Sequence, residues 1–415
     1  MASTGTESLI IPDGINYECT GCGKCCSGWS VPLTADDYER ISEYDWAKMN
    51  PKFETIRLFR ELKDYERKNS PYTHAIKHGD DGYCPFLVDN LCYIHSKFES
   101  KTKPSICQLF PYCFNETPSG VYATVSFVSV GAVKNSGRPL SEQREYLEKK
   151  YAEFKALYPD HHPNWSNIEL AKQVPLDWDT YIKLEELMLS LLSQRDKPMK
   201  QRLAEISYAI ISVYLERRGS KAPEKQKFNL DKVSLRAGDV RLLKELHHIY
   251  FPTASLSRGD KNFQAFKYMF NSTAQTLLGP LAPRKLSLAG VGHSYDLDKL
   301  LECKFDESGM LEDILYRFIY QRIFGKLYFG AGYGQLSLMA GFHHLALVFS
   351  LLKLQARLSA VSRGKSAVEE ADLVASVRTL EKRLGDTALD GWAAAVFEYC
   401  LQSHGRLERI LAASG

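Results

Sequence analysis

Beyond position 113 the chain carries only two cysteines, Cys303 and Cys400. The long remainder cannot be a sulfur-stapled scaffold and must bury an apolar core instead. An excess of one charge is missing too. Lys and Arg number 53 and Asp and Glu 50, a net +3 with the signs interspersed. No basic stripe is there to follow a nucleic-acid backbone, so nucleic acid is not an expected partner. No apolar stretch runs unbroken for the width of a bilayer. The nearest, Leu336 to Leu354, is interrupted by Ser337, His343, His344, Ser350 and Lys353, and reads as a buried helix. Met1 to Gly14 shows neither the basic start nor the apolar stretch of a secretory leader. The expectation is a cytoplasmic chain, in a reducing compartment where structural disulfides are rare. Fixed-period repeats, low-complexity tracts, P-loops, H-E-x-x-H and Ser-His-Asp patterns are also absent.

What is present is cysteine at one end. Cys19, Cys22, Cys25 and Cys26 form C-x2-C-x2-C-C, and Cys84, Cys92, Cys107 and Cys113 follow. Thiolates gathered in this way bind a soft metal or an iron–sulfur centre, or else form disulfides. The expected compartment favours metal. A C-x2-C pair grips one ion from a single tight turn. Four thiols within eight residues are hard to explain as packing. Adjacent Cys25 and Cys26 project in different directions, so one of them can face a second centre. Cys84, Cys92 and Cys107 would complete the shell or shells, and His95 offers a nitrogen ligand. Cys107, at a helix start, is expected to have a lowered thiol pKa. Cys113, Cys303 and Cys400 read as small buried hydrophobes.

The remaining text is mostly helical. Thr34 and Asp37 have capping-box spacing ahead of a helix. Phe53, Ile56, Phe59, Leu62 and Tyr65 recur at helical intervals and predict a second helix over 52–67. Residues 69–83 read as a loop, 84–94 as a hairpin turning at Asp89-Asn90, and 122–130 as a strand. Pro104 opens a short helix that carries Cys107. Helices are expected over 141–157, 178–192, 199–217, 239–250, 263–278, 311–324, 336–358, 367–384 and 392–412. A linker is expected at 219–238 and a breaker at 279–284. Gly330, Gly332 and Gly334 have the G-x-G-x-G form of a nucleotide cradle, but what precedes them reads as helix, so an interhelical turn is the better reading. His343 and His344 diverge around an apolar helix and read as satisfied histidines. His247 and His248 fall at a helix C-terminus, where positive charge is favourable.

The segments CTGCGKCCSGWSVPLTADDYERI and CPFLVDNLCYIHSKFESKTKPSICQLFPY closely resemble the YkgJ-type cysteine cluster family. That family is described as a zinc- or iron-chelating domain with the pattern CxxCxxCC, CPFL, C-x-I-[YH] and KPxxCxxFP. Cys19, Cys22, Cys25, Cys26, Cys84, Cys92 and Cys107 fall on it, with Pro104 and Pro111. The resemblance covers about the first third and implies that these seven cysteines hold the metal. The flagellin lysine-N-methylases look like relatives, sharing Cys26, Ser27, Gly28 and Trp29. They use S-adenosylmethionine and depend on a [4Fe-4S] cluster. Such relatives often carry a further cysteine after the FP element, where this chain reads SFVSVGAV, Ser126 to Val133.

These readings converge on a mainly α protein. A small cysteine-rich α+β metal-binding domain, residues 1–140, precedes an all-helical domain, residues 141–415, with a further division near 219–238. The expected function is binding of zinc or an iron–sulfur cluster. The alternatives are an adenosylmethionine-dependent protein lysine N-methyltransferase with a protein substrate, or a redox carrier.

Overall fold

The computed structural model describes residues 8–27, 29–67, 70–98, 100–220, 230, 234–252, 287–289, 294–386 and 391–414. They group into two compact units, residues 1–162 and 163–415. Helix Arg144–Leu157 falls in the first of these, beyond the expected limit at 140. It is tied there by the Arg144 guanidinium, which donates to the Leu9 carbonyl, and by the Tyr151 hydroxyl, which donates to Glu116.

In the first unit, helix Ala35–Ser42 begins where its capping box lies. Thr34 accepts from the Asp37 amide at 3.0 Å, and Asp37 accepts from the Thr34 amide at 3.4 Å. The helix expected over 52–67 is not formed. That stretch holds a 3-10 turn Pro51–Phe53, strand Phe59–Glu61 and a single turn Asp64–Arg67. The loop expected over 69–83 contains the strand His74–Ile76. It is the middle of a three-stranded antiparallel sheet between Val31–Leu33 and Phe59–Glu61. Pairing explains both errors: backbone donors of 59–61 are satisfied across the sheet, and this outweighs a helical spacing that arose from only a few residues. A second sheet orders Leu9–Ile10, Gly120–Val125 and Tyr112–Thr117, so the strand expected over 122–130 begins and ends earlier and has a partner that the sequence reading missed. The sheet of residues 31–76 packs on a core of Val31, Leu33, Ile41, Trp46, Phe53, Ile76, Phe86 and Ile94.

The second unit is mainly helical, with short two-stranded pairs at 169–175 and 287–296. Helices Trp178–Leu192, Met199–Arg217, Ala237–Tyr250 and Gly309–Phe324 match their expected stretches closely. The segment 392–412 is two helices, Gly391–Leu401 and His404–Ala413, because Ser403 caps a new start. The helix 263–278, the breaker 279–284 and most of the 219–238 linker lie outside the described residues. Helix Leu338–Ser362 packs against helices Met199–Arg217, Glu370–Asp386 and His404–Ala413. It is the one described helix long and apolar enough to cross a bilayer by length and composition, and most of that stretch is buried. Gly330, Gly332 and Gly334 form a turn between two helices, with no strand leading in. A Cβ on Gly332 would meet the Lys326 carbonyl oxygen at 1.7 Å, so close backbone packing explains that glycine.

His247, His343 and His344 are buried here. His344 bonds the Tyr250 hydroxyl at 2.6 Å and His247 bonds Gln355 at 2.8 Å. Burial pushes their pKa values down from 6.5, to about 4 for His247 and His343 and about 3 for His344. His247 is therefore neutral, and desolvation overrides the expected attraction of the helix end. Below pH 6.5 the unfolded chain binds protons that the folded chain refuses. The stability these rings contribute is complete above 6.5 and is lost as pH falls toward their folded values. Each costs up to about 1.4 kcal/mol per pH unit. The urea midpoint, read by far-UV circular dichroism, should fall steeply between about pH 6.5 and 4.5, before most carboxylates titrate. A flat midpoint across that window would contradict the assignment.

Candidate metal centre

Two glycines with positive φ, Gly21 at 61° and Gly23 at 67°, curl the first cysteine loop. A 3-10 turn, Lys24–Cys26, follows, closed by the Cys26 amide donating to the Gly23 carbonyl at 3.0 Å. The Trp29 indole donates to the Cys25 carbonyl at 3.1 Å and holds the loop from its far side.

The second cysteine group is tied directly to this loop. The Cys84 amide donates to the Cys26 carbonyl at 2.7 Å, and Ser27 bridges Tyr83. The hairpin Leu87–Val88 with Leu91–Cys92 turns through Asp89 and Asn90, at φ 51° and 62° as the Asp-Asn pair requires. Gly23 lies under that hairpin, where an added Cβ would meet Leu87 Cδ1 at 3.0 Å and the Asn90 Cα at 3.4 Å. Cys107 sits in helix Ser105–Leu109 just after Pro104. Its position is set from helix Ala35–Ser42: the buried Asp37 carboxylate accepts from the Ser105 amide at 3.0 Å and from its hydroxyl at 2.8 Å.

Cys84, Cys92 and Cys107 pack against the rim of the aromatic core, together with Trp29. Burial pushes the Cys84 thiol up to about 12, the Cys26 thiol up to about 11, and Cys107 well above the usual thiol range. This corrects the lowered value expected for Cys107, since a helix of a single turn does not offset full desolvation. Neighbouring thiolates add to the effect. Cys92 and Cys84 oppose charge on Cys107, as does Cys26, and Cys92 opposes charge on Cys26. Lys103 acts the other way on Cys26 and Cys107, and Lys52 does so on Cys84.

Cys26, Cys84, Cys92 and Cys107 are thus one neighbourhood of mutually repelling thiols. Cys19 is exposed, and it and Cys25 act both on Cys26 and on Tyr17. Cys22 is half-buried in the same loop. None of the ten cysteines is in a disulfide. Among the described residues, no three His, Cys, Asp or Glu side chains converge closely enough to hold an ion as they stand. In kind the donor set still fits a soft cation: sulfur donors from two stretches of chain meet, and a bound cation would reverse the repulsion that raises their pKa values. Convergence to bonding distance would come with the ion. His95 is exposed on helix Tyr93–Lys97, under the influence of Lys103. Cys113 lies half-buried in strand Tyr112–Thr117, Cys303 is buried, and Cys400 is half-buried in the second unit.

Sequence reasoning took Asp37 for a cap alone and passed over Lys103 and Lys52. The bond of Asp37 to Ser105 joins residues 68 apart, and no local pattern in the sequence signals it.

Residues 18–127 match the model of a family named CxxCxxCC, "Putative zinc- or iron-chelating domain". The chain is also similar to an uncharacterized protein of Methanocaldococcus jannaschii, 24% identical over 172 residues. That alignment takes in 40% of this chain and 56% of the relative, so the chain spans little more than half of the curated protein it matches. No solved structure matches. Over residues 18–127 the chain matches the cysteine-cluster family that its motifs resemble, one described as chelating zinc or iron.

Proposed function

We propose that the first unit binds an iron–sulfur cluster, with Cys26, Cys84, Cys92 and Cys107 as its inner donors and Cys19, Cys22 and Cys25 completing the sulfur set. The bond from the Cys84 amide to the Cys26 carbonyl carries this reading, because it fixes the two cysteine groups to each other. Zinc is the competing occupant, since sulfur ligation suits either. Crowding of more than four thiols in one place favours a cluster. A reducing cytosolic compartment would keep those thiols available. When bound, a cluster would supply one-electron chemistry. The protein's own part is to shield it with Trp29 and the aromatic core and to place Lys52 and Lys103 near its charge.

Protein purified without oxygen should be brown and contain iron and labile sulfide. Colourless protein containing zinc would replace the cluster by a zinc site. Cys84→Ser should lose the metal, whereas Cys303→Ser, buried in the other unit, should keep it. Full metal content in Cys84→Ser would overturn the ligand assignment. The methyltransferase reading is tested in the same samples: it requires saturable adenosylmethionine binding, and it falls if none is found. A redox carrier requires reversible reduction without turnover of a methyl donor.

A further inference from the structure

We propose that the helical unit stores one proton in a hydrogen-bond chain running from Leu401 through His343, Ser207 and His404 to Glu408, and that this proton makes the junction of four helices sensitive to pH. The chain joins helices Met199–Arg217, Leu338–Ser362, Gly391–Leu401 and His404–Ala413. His343 Nδ1 bonds the Leu401 carbonyl, and its Nε2 lies 2.7 Å from Ser207 Oγ. The same Oγ lies 2.7 Å from His404 Nδ1, and His404 Nε2 lies 3.2 Å from Glu408 Oε1.

Every one of these contacts needs one hydrogen between its heavy atoms. The two ends, a carbonyl and a carboxylate, can only accept. A neutral His343, the Ser207 hydroxyl and a neutral His404 supply one hydrogen each. That leaves one link short, so the intact chain requires one proton more than its neutral members hold. His343 is fully buried and stays neutral, with its hydrogen on Nδ1 facing Leu401. Ser207 then donates to His343 Nε2 and accepts from His404 Nδ1. His404 must also donate from Nε2 to Glu408, which makes it an imidazolium. Burial lowers the His404 pKa by more than Glu408 raises it; the hydrogen count runs against that direction and decides for the charged ring.

The surrounding groups are consistent with this. Tyr208 faces His404 from helix Met199–Arg217, at 6.4 Å between ring centres. Cys400 comes from helix Gly391–Leu401, its carbonyl held by Arg406 at 2.6 Å. Arg406 and Arg409, on the same helix as His404, both bond Asp239 of helix Ala237–Tyr250. Those two cations share the single negative charge of Asp239, and Glu408 faces both His404 and Arg409. On this hydrogen count the proton is held above the ordinary histidine range, so it stabilises the fold fully below pH 6.5 and ceases to do so as pH rises through the folded value. Its loss breaks one link and loosens the junction.

Long-range proton–nitrogen spectra of the full chain, labelled at histidine nitrogen, test this. His404 is assigned by the signal lost in His404→Gln. At about pH 7.5 both of its ring nitrogens should carry hydrogen. Ser207→Ala removes two links, and Glu408→Gln removes the negative charge and offers an NH2 that can donate to a neutral His404 Nε2, closing the chain without the extra proton. Each should render His404 neutral at that pH. Glu408 is only about one-fifth exposed on one helix face, and its isosteric replacement should leave the far-UV spectrum unchanged. A neutral His404 in the unaltered protein overturns the proposal, as does a His404 that stays charged in Glu408→Gln.

Discussion

Stripping the metal from the folded protein should dissolve the three-stranded sheet of residues 31–76 while the helical unit keeps its far-UV signal. The core under that sheet is small, and the cysteines form its rim. Without a cation, Cys26, Cys84, Cys92 and Cys107 crowd into a half-buried space where burial, then the neighbouring sulfurs, oppose ionisation of Cys26, Cys84 and Cys107. A structural metal contributes on the order of 10 kcal/mol to folding in small thiolate sites. Whole domains are stable by only about 5–15 kcal/mol. Removing the metal therefore takes away most of what holds residues 18–127. The second unit has its own core around helix Leu338–Ser362 and no part in the sulfur set. Chelator titration followed by near-UV circular dichroism should show Trp29 and Trp46 losing their fixed environments. A near-UV signal unchanged after metal analysis reads zero would refute the role of the ion in this fold.

How far the site was legible follows from which interactions are local. The Thr34–Asp37 cap, the Asp89-Asn90 turn and the Pro104 helix start are short-range devices, and each lies where the sequence puts it. The buried apolar helices of the second unit were visible for the same reason: their stripes repeat over many turns. Strand His74–Ile76 was not visible, because its neighbours are polar and its partners, Phe59–Glu61 and Val31–Leu33, are not adjacent in sequence. Phe59 misled because one residue fits a helical stripe and a strand face equally well. The seven cysteines could be named from spacing and resemblance. That Cys26 meets Cys92 and Cys84 of the second group, as well as Cys25 and Cys19 of its own loop, depends on the turn at Gly23 and on how the hairpin covers it. No spacing rule encodes that.

Replacing Asp37 by alanine should cost more than any other change outside the cysteines of this unit. Its carboxylate is fully buried and serves two distant pieces of chain at once. It accepts from Arg40 at 2.5 Å on its own helix and from the Ser105 amide and hydroxyl across the unit. Alanine would leave the Ser105 donors without an acceptor and Arg40 with only the Lys103 carbonyl at 3.2 Å, and Arg40 already has an unsatisfied Nε. Leaving buried donors and a partly buried cation unpaired costs about 3 kcal/mol. The second effect is on metal. Ser105 begins the turn that carries Cys107, so loosening it moves a donor sulfur without touching that sulfur. Outer residues that orient a ligand typically govern about 10–100-fold in affinity, and Asp37→Ala should weaken metal retention against a competing chelator by that order. Asp36→Ala, at the exposed neighbour, should change neither the urea midpoint nor retention. If Asp37→Ala lowers the midpoint but holds metal as tightly as the unaltered protein, Asp37 is a cap alone and Cys107 is placed by something else.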